Sequence, residues 1–131
     1  MLTISELRNI SEVRLEDAKV LWSSGRFDGA VYLCGYAVEM ALKARIWGTL
    51  RWDGYPSTSS EFLEYQTFRT HDLDVLLHLS GVEGDILTHA FSEWSTVAVW
   101  DPEIRYNPIG RVTETAAQSM VESTAVLLSR L

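Results

Sequence analysis

Apolar residues recur every three or four positions along most of this chain, with charged residues on the intervening positions. That spacing predicts amphipathic helices. A first helix is expected from about Thr3 to Ser23. Leu7, Ile10, Ala18, Leu21 and Trp22 lie on one side of it, and Arg8, Glu12, Glu16 and Lys19 on the other. Ser24-Gly25 supplies the stop, because glycine takes the left-handed conformation that closes many helices.

A second helix is expected from about Phe27 to Trp47, with Asp28 suited to its positive end. Ala30, Cys34, Ala37, Ala41 and Ala44 repeat at steps of four, three, four and three. They form a continuous stripe of small side chains, flanked by Phe27, Val31, Leu33, Val38 and Leu42. Small residues let two helix backbones approach closely, so this helix is predicted to be central. Tyr32, Tyr36, Glu39 and Lys43 make a second stripe with polar tips. Glu39 and Lys43 stand at i and i+4 in the favourable order, worth ~0.2–0.5 kcal/mol if exposed.

Arg51 to Thr70 reads as the longest irregular stretch, with Gly54, Pro56 and the serine and threonine run at 57–60, and with room for a helical turn over Glu61 to Phe68. A loop this long is usually functional or mobile. A short third helix is expected over about Asp72 to Leu79, capped by Thr70 and ended by Gly81. A fourth is expected over about Gly84 to Val97, with Ile86, Leu87, Ala90, Phe91 and Trp94 on one face. Ala98 to Val112 forms a second loop, where Pro102 and Pro108 deny regular helix. The last helix runs from Thr113 to about Arg130, with Ala116, Ala117, Met120, Val121, Ala125, Leu127 and Leu128 facing inward. No alternating run is long enough to predict a strand. The expected fold is therefore all-α, an up-and-down bundle of four to five antiparallel helices in one domain over residues 1–131.

Charge and cysteine content narrow the function. The net charge is −7, from 11 basic and 18 acidic residues, which argues against a nucleic-acid coat held by a basic surface. Nine of the basic residues are Arg, though, and a local Arg pair still suits a small phosphate site. Cys34 is the only cysteine, so neither an intrachain disulfide nor a cysteine-rich zinc site is expected. The charged N-terminal residues do not fit a signal peptide, and no apolar run is long enough for a membrane span, so the cytoplasm is the expected compartment.

Three segments carry a family resemblance. Gly25-Arg26-Phe27-Asp28-Gly29-Ala30 with Gly35-Tyr36-Ala37-Val38-Glu39-Met40-Ala41-Leu42-Lys43-Ala44 resembles the second helix of HEPN-domain proteins. Thr70-His71-Asp72-Leu73 resembles the start of their next helix, and Trp100-Asp101-Pro102-Glu103-Ile104-Arg105-Tyr106 the loop before their last. The resemblance covers about residues 10 to 130. It implies a helical bundle that often dimerises. Many small prokaryotic members pair with a minimal nucleotidyltransferase, sometimes as toxin and antitoxin. Others are metal-independent ribonucleases, and a nucleotide-binding role is proposed for the family.

The nuclease members carry an Arg followed after four to six residues by a His. Arg105 matches the Arg, but the positions that follow at that spacing are Gly110, Arg111 and Val112. Metal-free RNA cleavage needs a group that exchanges a proton near neutral pH, which His does and Arg cannot. Another residue, such as His71, would have to substitute. The remaining expectation is that Arg105 and Tyr106 grip a phosphate and stack a base, with Asn107, Arg111 and the N-terminus of the last helix beside them. The competing reading has Arg105 pairing with Glu39 or Asp101 to fix the loop, with Tyr106 packed on the bundle. Glu39, Lys43 and Asp101 are the supporting polar residues.

His71-Asp72 is half of a two-metal phosphohydrolase motif, but neither His78 nor His89 belongs to a second His-Asp pair, so helix-start chemistry is expected and no metal or cofactor. Cys34 reads as a buried small residue. Trp47, Trp52 and Trp100, at helix ends or in loops, either pack loops onto the bundle or anchor a partner. The function expected is that of a binding or regulatory module. It would form a homodimer, act beside a minimal nucleotidyltransferase and recognise nucleotide or RNA phosphate without catalysis of its own. The alternative is a ribonuclease with a rearranged site.

Overall fold

The structure is a computed structural model that describes residues 1–51, 54–55, 58–60 and 69–131. Trp52 and the helical turn expected over Glu61 to Phe68 lie outside the described residues. Helix α1 spans Ile4–Ser23. Its first turn is closed by a reciprocal cap: Glu6 N–H donates to Thr3 Oγ1 (3.1 Å) and Thr3 N–H donates to Glu6 Oε2 (2.7 Å). The Thr3 backbone bond is also the main reason that the Glu6 carboxyl titrates below its ordinary value.

Helix α2 spans Phe27–Leu50 and runs past Trp47, where the sequence pattern ended it. Gly48 does not stop it. It ends when Arg51 turns left-handed (φ 57°) and donates its N–H to the Gly48 carbonyl. The short 24–26 link makes α1 and α2 a hairpin, and the stripe Ala30, Cys34, Ala37, Ala41 and Ala44 is buried along its whole length. The opposing face of α1 is Leu7, Ser11, Leu15 and Ala18. Ser11 Oγ donates to the Ala37 carbonyl at 2.7 Å, which satisfies a buried hydroxyl at this close approach.

Helix α3 spans Leu73–Ser80 and packs on α2. Asp72, not Thr70, is its N-cap. Asp72 Oδ1 accepts the N–H groups of Asp74 and Val75, while Thr70 Oγ1 accepts only that of Asp72. The predicted fourth helix is two helices, α4 (Glu83–His89) and α5 (Phe91–Val97). They break at Ala90, whose φ of −142° is outside the helical range. No glycine or proline signals the break, and Ile86, Ala90, Trp94 and Val97 are buried on both sides of it. Leu87 and Phe91, expected on the inner face, are exposed.

Residues Pro102–Tyr106 form a 3₁₀ turn inside the second loop. Pro102 sits at its start, and Asp101 caps it by accepting the Glu103 N–H (2.7 Å). Helix α6 spans Glu114–Arg130, with Thr113 Oγ1 accepting the Ala116 N–H. Ala116, predicted to face the core, is exposed. Among the described residues there is also one two-residue antiparallel ladder, β1 (Leu2–Thr3) on β2 (Gly54–Tyr55), too short for any alternating pattern to reveal. The fold is an all-α bundle, with six helices among the described residues in place of the predicted four to five. None of the described helices is long and apolar enough to cross a membrane.

Candidate functional site

The first turns of α2, the 3₁₀ turn, the strap over residues 107–112 and the start of α6 enclose a cleft of about 690 Å³. Its walls are mostly apolar, with Val31, Trp100, Ile104 and Met120 prominent among them. Arg105, Asn107 and Arg111 all line it and are exposed, so three of the four predicted phosphate residues share one rim. Thr113 and Ala116 bring the N-terminus of α6 to the same cleft.

Trp100 sets the level at which the loop crosses α2. Its ring is buried against Gly35 so closely that a Cβ there would stand 2.0 Å from the indole. The ring also meets Tyr36 edge to face at 5.0 Å. Trp47 is buried as well, so packing accounts for both of these tryptophans.

Arg105 follows on the 3₁₀ turn. Its guanidinium lies 4.8 Å from the centroid of the Tyr106 ring and 3.9 Å from a Glu103 oxygen. The Tyr106 and Tyr32 side chains push its pKa up, so it stays a cation. Its partner is neither Glu39 nor Asp101: Glu39 is engaged elsewhere and Asp101 caps the turn. Tyr106 does not pack on the bundle but is 72% exposed, with its ring beneath the guanidinium.

Glu39, Lys43 and His71 form a second cluster farther along α2. Glu39 is buried (1% exposed), and so is Lys43, so their i,i+4 pair is an internal one. Glu39 Oε2 lies 3.3 Å from Lys43 Nζ, and Oε1 lies 2.6 Å from Nδ1 of His71, whose ring is largely open to solvent. His71 does not line the cleft. It touches the edge of Tyr36 (6.4 Å), which touches Tyr32 in turn (5.1 Å). Burial, then the Tyr32 hydroxyl, pushes the Tyr36 phenol up to about 12.

Burial likewise pushes the Cys34 thiol up to about 11, which makes it a packing residue and not a nucleophile. Among the described residues no three His, Cys, Asp or Glu side chains are grouped to hold a metal ion.

One residue of the cleft has a role that sequence reasoning missed. Asp28 was expected only to favour the start of α2. Its carboxylate accepts the N–H of Gly110 (2.7 Å) and of Val112 (3.1 Å), across 82 and 84 residues of chain. No local signal carries a contact of that separation.

Neither the curated proteins nor the solved structures give a match. The family model of the HEPN domain matches residues 4–60, which include α1, α2 and β2. The matched segment contains Asp28, Tyr32, Gly35, Tyr36 and Glu39, the α2 residues that hold the cleft and the His71 cluster. The helix pair at the centre of this bundle is thus similar to the HEPN domain over residues 4–60.

Proposed function

We propose that this chain is a single-domain binding or regulatory module that recognises the phosphate of a nucleotide or RNA at the Arg105 cleft without catalysis of its own. It does so as the partner of a minimal nucleotidyltransferase, in a toxin–antitoxin-like pair, and as a homodimer. The similarity to the HEPN domain supports a nucleotide- or RNA-related role, regulatory or ribonucleolytic. The observation that carries the phosphate reading is the shared rim of Arg105, Asn107 and Arg111 over apolar walls, next to the N-terminus of a 17-residue helix. Two guanidinium groups and free helix N–H groups suit an anion, and the apolar walls suit a base. No imidazole lines this cleft, and arginine does not take up a proton at neutral pH.

The test is a titration of octauridylate followed by Trp fluorescence, with Trp100 in the cleft wall as a reporter. Saturable binding that weakens about tenfold or more in Arg105→Ala supports the reading. Binding that ignores Arg105 refutes it. The pairing is tested by co-purifying the chain with a minimal nucleotidyltransferase encoded beside it.

A second reading, ribonuclease activity from a rearranged site, is favoured by one contact. Buried Glu39 holds Nδ1 of His71, whose ring is largely exposed, an arrangement that orients an imidazole for proton transfer. Cleavage of RNA by pure protein in a chelator, lost in both His71→Asn and Arg105→Ala, would establish that reading in place of the first.

A further inference from the structure

We infer that Asp28 is the positioning residue of the cleft: it clasps the strap over residues 107–112 to α2 and so holds Arg111 on the rim facing Arg105. The inference rests on the phosphate reading for its readout, but the clasp itself is a matter of geometry. Asp28 Oδ2 accepts the Gly110 N–H and Oδ1 the Val112 N–H, so both carboxylate oxygens are engaged and Arg111 is the residue bracketed between them.

Little else in the strap fixes its register. Ile109, at its apex, is 94% exposed and contributes no anchoring burial. Gly110 turns left-handed there (φ 86°) with no neighbouring atoms within 4 Å of where a Cβ would be. The Asn107 N–H donates back to Ile104, inside the preceding turn, and does not reach across to the bundle. A strap with one side chain buckled to α2 and its apex in water keeps its shape through that buckle. Asp28 gains in turn, because its charge lies at the positive end of α2.

Without the carboxylate, the two N–H groups turn to water and Arg111 samples many positions, so ordering it costs part of the binding energy. The expected result for Asp28→Ala is binding of octauridylate weaker by about tenfold, matching Arg111→Ala. The double variant should be no weaker than Arg111→Ala alone, because the aspartate acts through that arginine. Both single variants should also lower the slope of log Kd against log salt by about one phosphate contact. Asp28→Asn keeps one acceptor oxygen and should fall between wild type and Asp28→Ala.

Amide exchange gives a reading that needs no ligand. In Asp28→Ala the Gly110 and Val112 amides should exchange fast, while those of α2 and α6 stay protected. Unchanged protection at those two amides overturns the clasp, as do additive losses in the double variant. Tighter binding by Asp28→Ala also overturns it, since it would mean that the carboxylate competes with the ligand. Binding that Arg105→Ala abolishes and Asp28→Ala leaves intact overturns the positioning role alone. No binding by the wild-type protein overturns that role and the phosphate reading together.

Discussion

Replacing Gly35 by alanine should destabilise this protein, although alanine is the better helix former. In an open helix the exchange gains about 1 kcal/mol. At Gly35 the new methyl would stand 2.0 Å from two atoms of the Trp100 ring and 2.2 Å from a third. Carbon atoms in contact stay about 3.5 Å apart or more, so the ring must move by more than an ångström. A ring displaced within a packed core costs about 1–3 kcal/mol in strain. A ring expelled altogether forfeits about 5 kcal/mol, from some 200 Å² of buried aromatic surface. Subtracting the helix gain leaves a net loss of up to about 2 kcal/mol where the ring is displaced and about 4 kcal/mol where it is expelled.

Urea denaturation followed by far-UV circular dichroism measures this directly, and Gly48→Ala is the matched control. Gly48 lies in the same helix with nothing within 4 Å of a Cβ, so that variant should gain up to about 1 kcal/mol. The decisive comparison is made after removing the indole. In a Trp100→Ala background the clash is gone, and Gly35→Ala should become neutral or stabilising. If Trp100→Ala does not fold, Trp100→Leu serves, since it also clears most of the ring. The reasoning fails if Gly35→Ala is as stable as Gly48→Ala, or if its effect keeps its sign once the ring is absent.

Glu39→Ala withdraws a buried carboxylate from Lys43 and His71 and should cost about 3 kcal/mol in urea denaturation, most of it from the Lys43 side, because His71 is solvated. Cys34, buried and with its thiol pushed up to about 11, should resist a thiol reagent at pH 8 in the native protein and react at once in denaturant. Tyr36 holds its proton to about 12, whereas in the unfolded chain it ionises near 10. The folded state therefore binds the extra proton between those values, and stability should fall as the pH climbs from about 10 to 12. Tyr36→Phe should flatten that part of the profile.

The parts of this molecule legible in the sequence are those set by short-range periodicity. The alanine stripe of α2 repeats with the helix, and its burial follows from that spacing and the small side chains. Arg105, Asn107 and Arg111 lie within seven residues of each other, so one loop delivers them to one cleft. The parts that were not legible depend on distant chain. The break at Ala90 has no breaker residue to mark it in the sequence. Glu39 and Lys43 look like a solvated pair, since the spacing is the same whether or not α3 and His71 cover that face. The Asp28 bonds span more than half the chain and leave no mark on either segment.

These long-range contacts share one geometrical origin. Positions 28, 32, 35–36 and 39 of α2 advance by about one turn each and so lie on one face of the helix. Each turn catches a different part of the distant chain. Asp28 takes the strap, Tyr32 acts on Arg105, Gly35 and Tyr36 receive Trp100, and Glu39 holds His71. The order along the helix fixes the order of the site. Because Gly35 lets the Trp100 ring lie flush, the loop crosses α2 at that turn, and five residues on it presents Arg105 toward Tyr32, one turn nearer the helix N-terminus. The strap then continues in the same direction and reaches Asp28 one turn farther along. The family match over residues 4–60 therefore takes in the anchoring face of the site but not the strap that the face anchors. A chain that kept this α2 face could change its ligand through the loop alone.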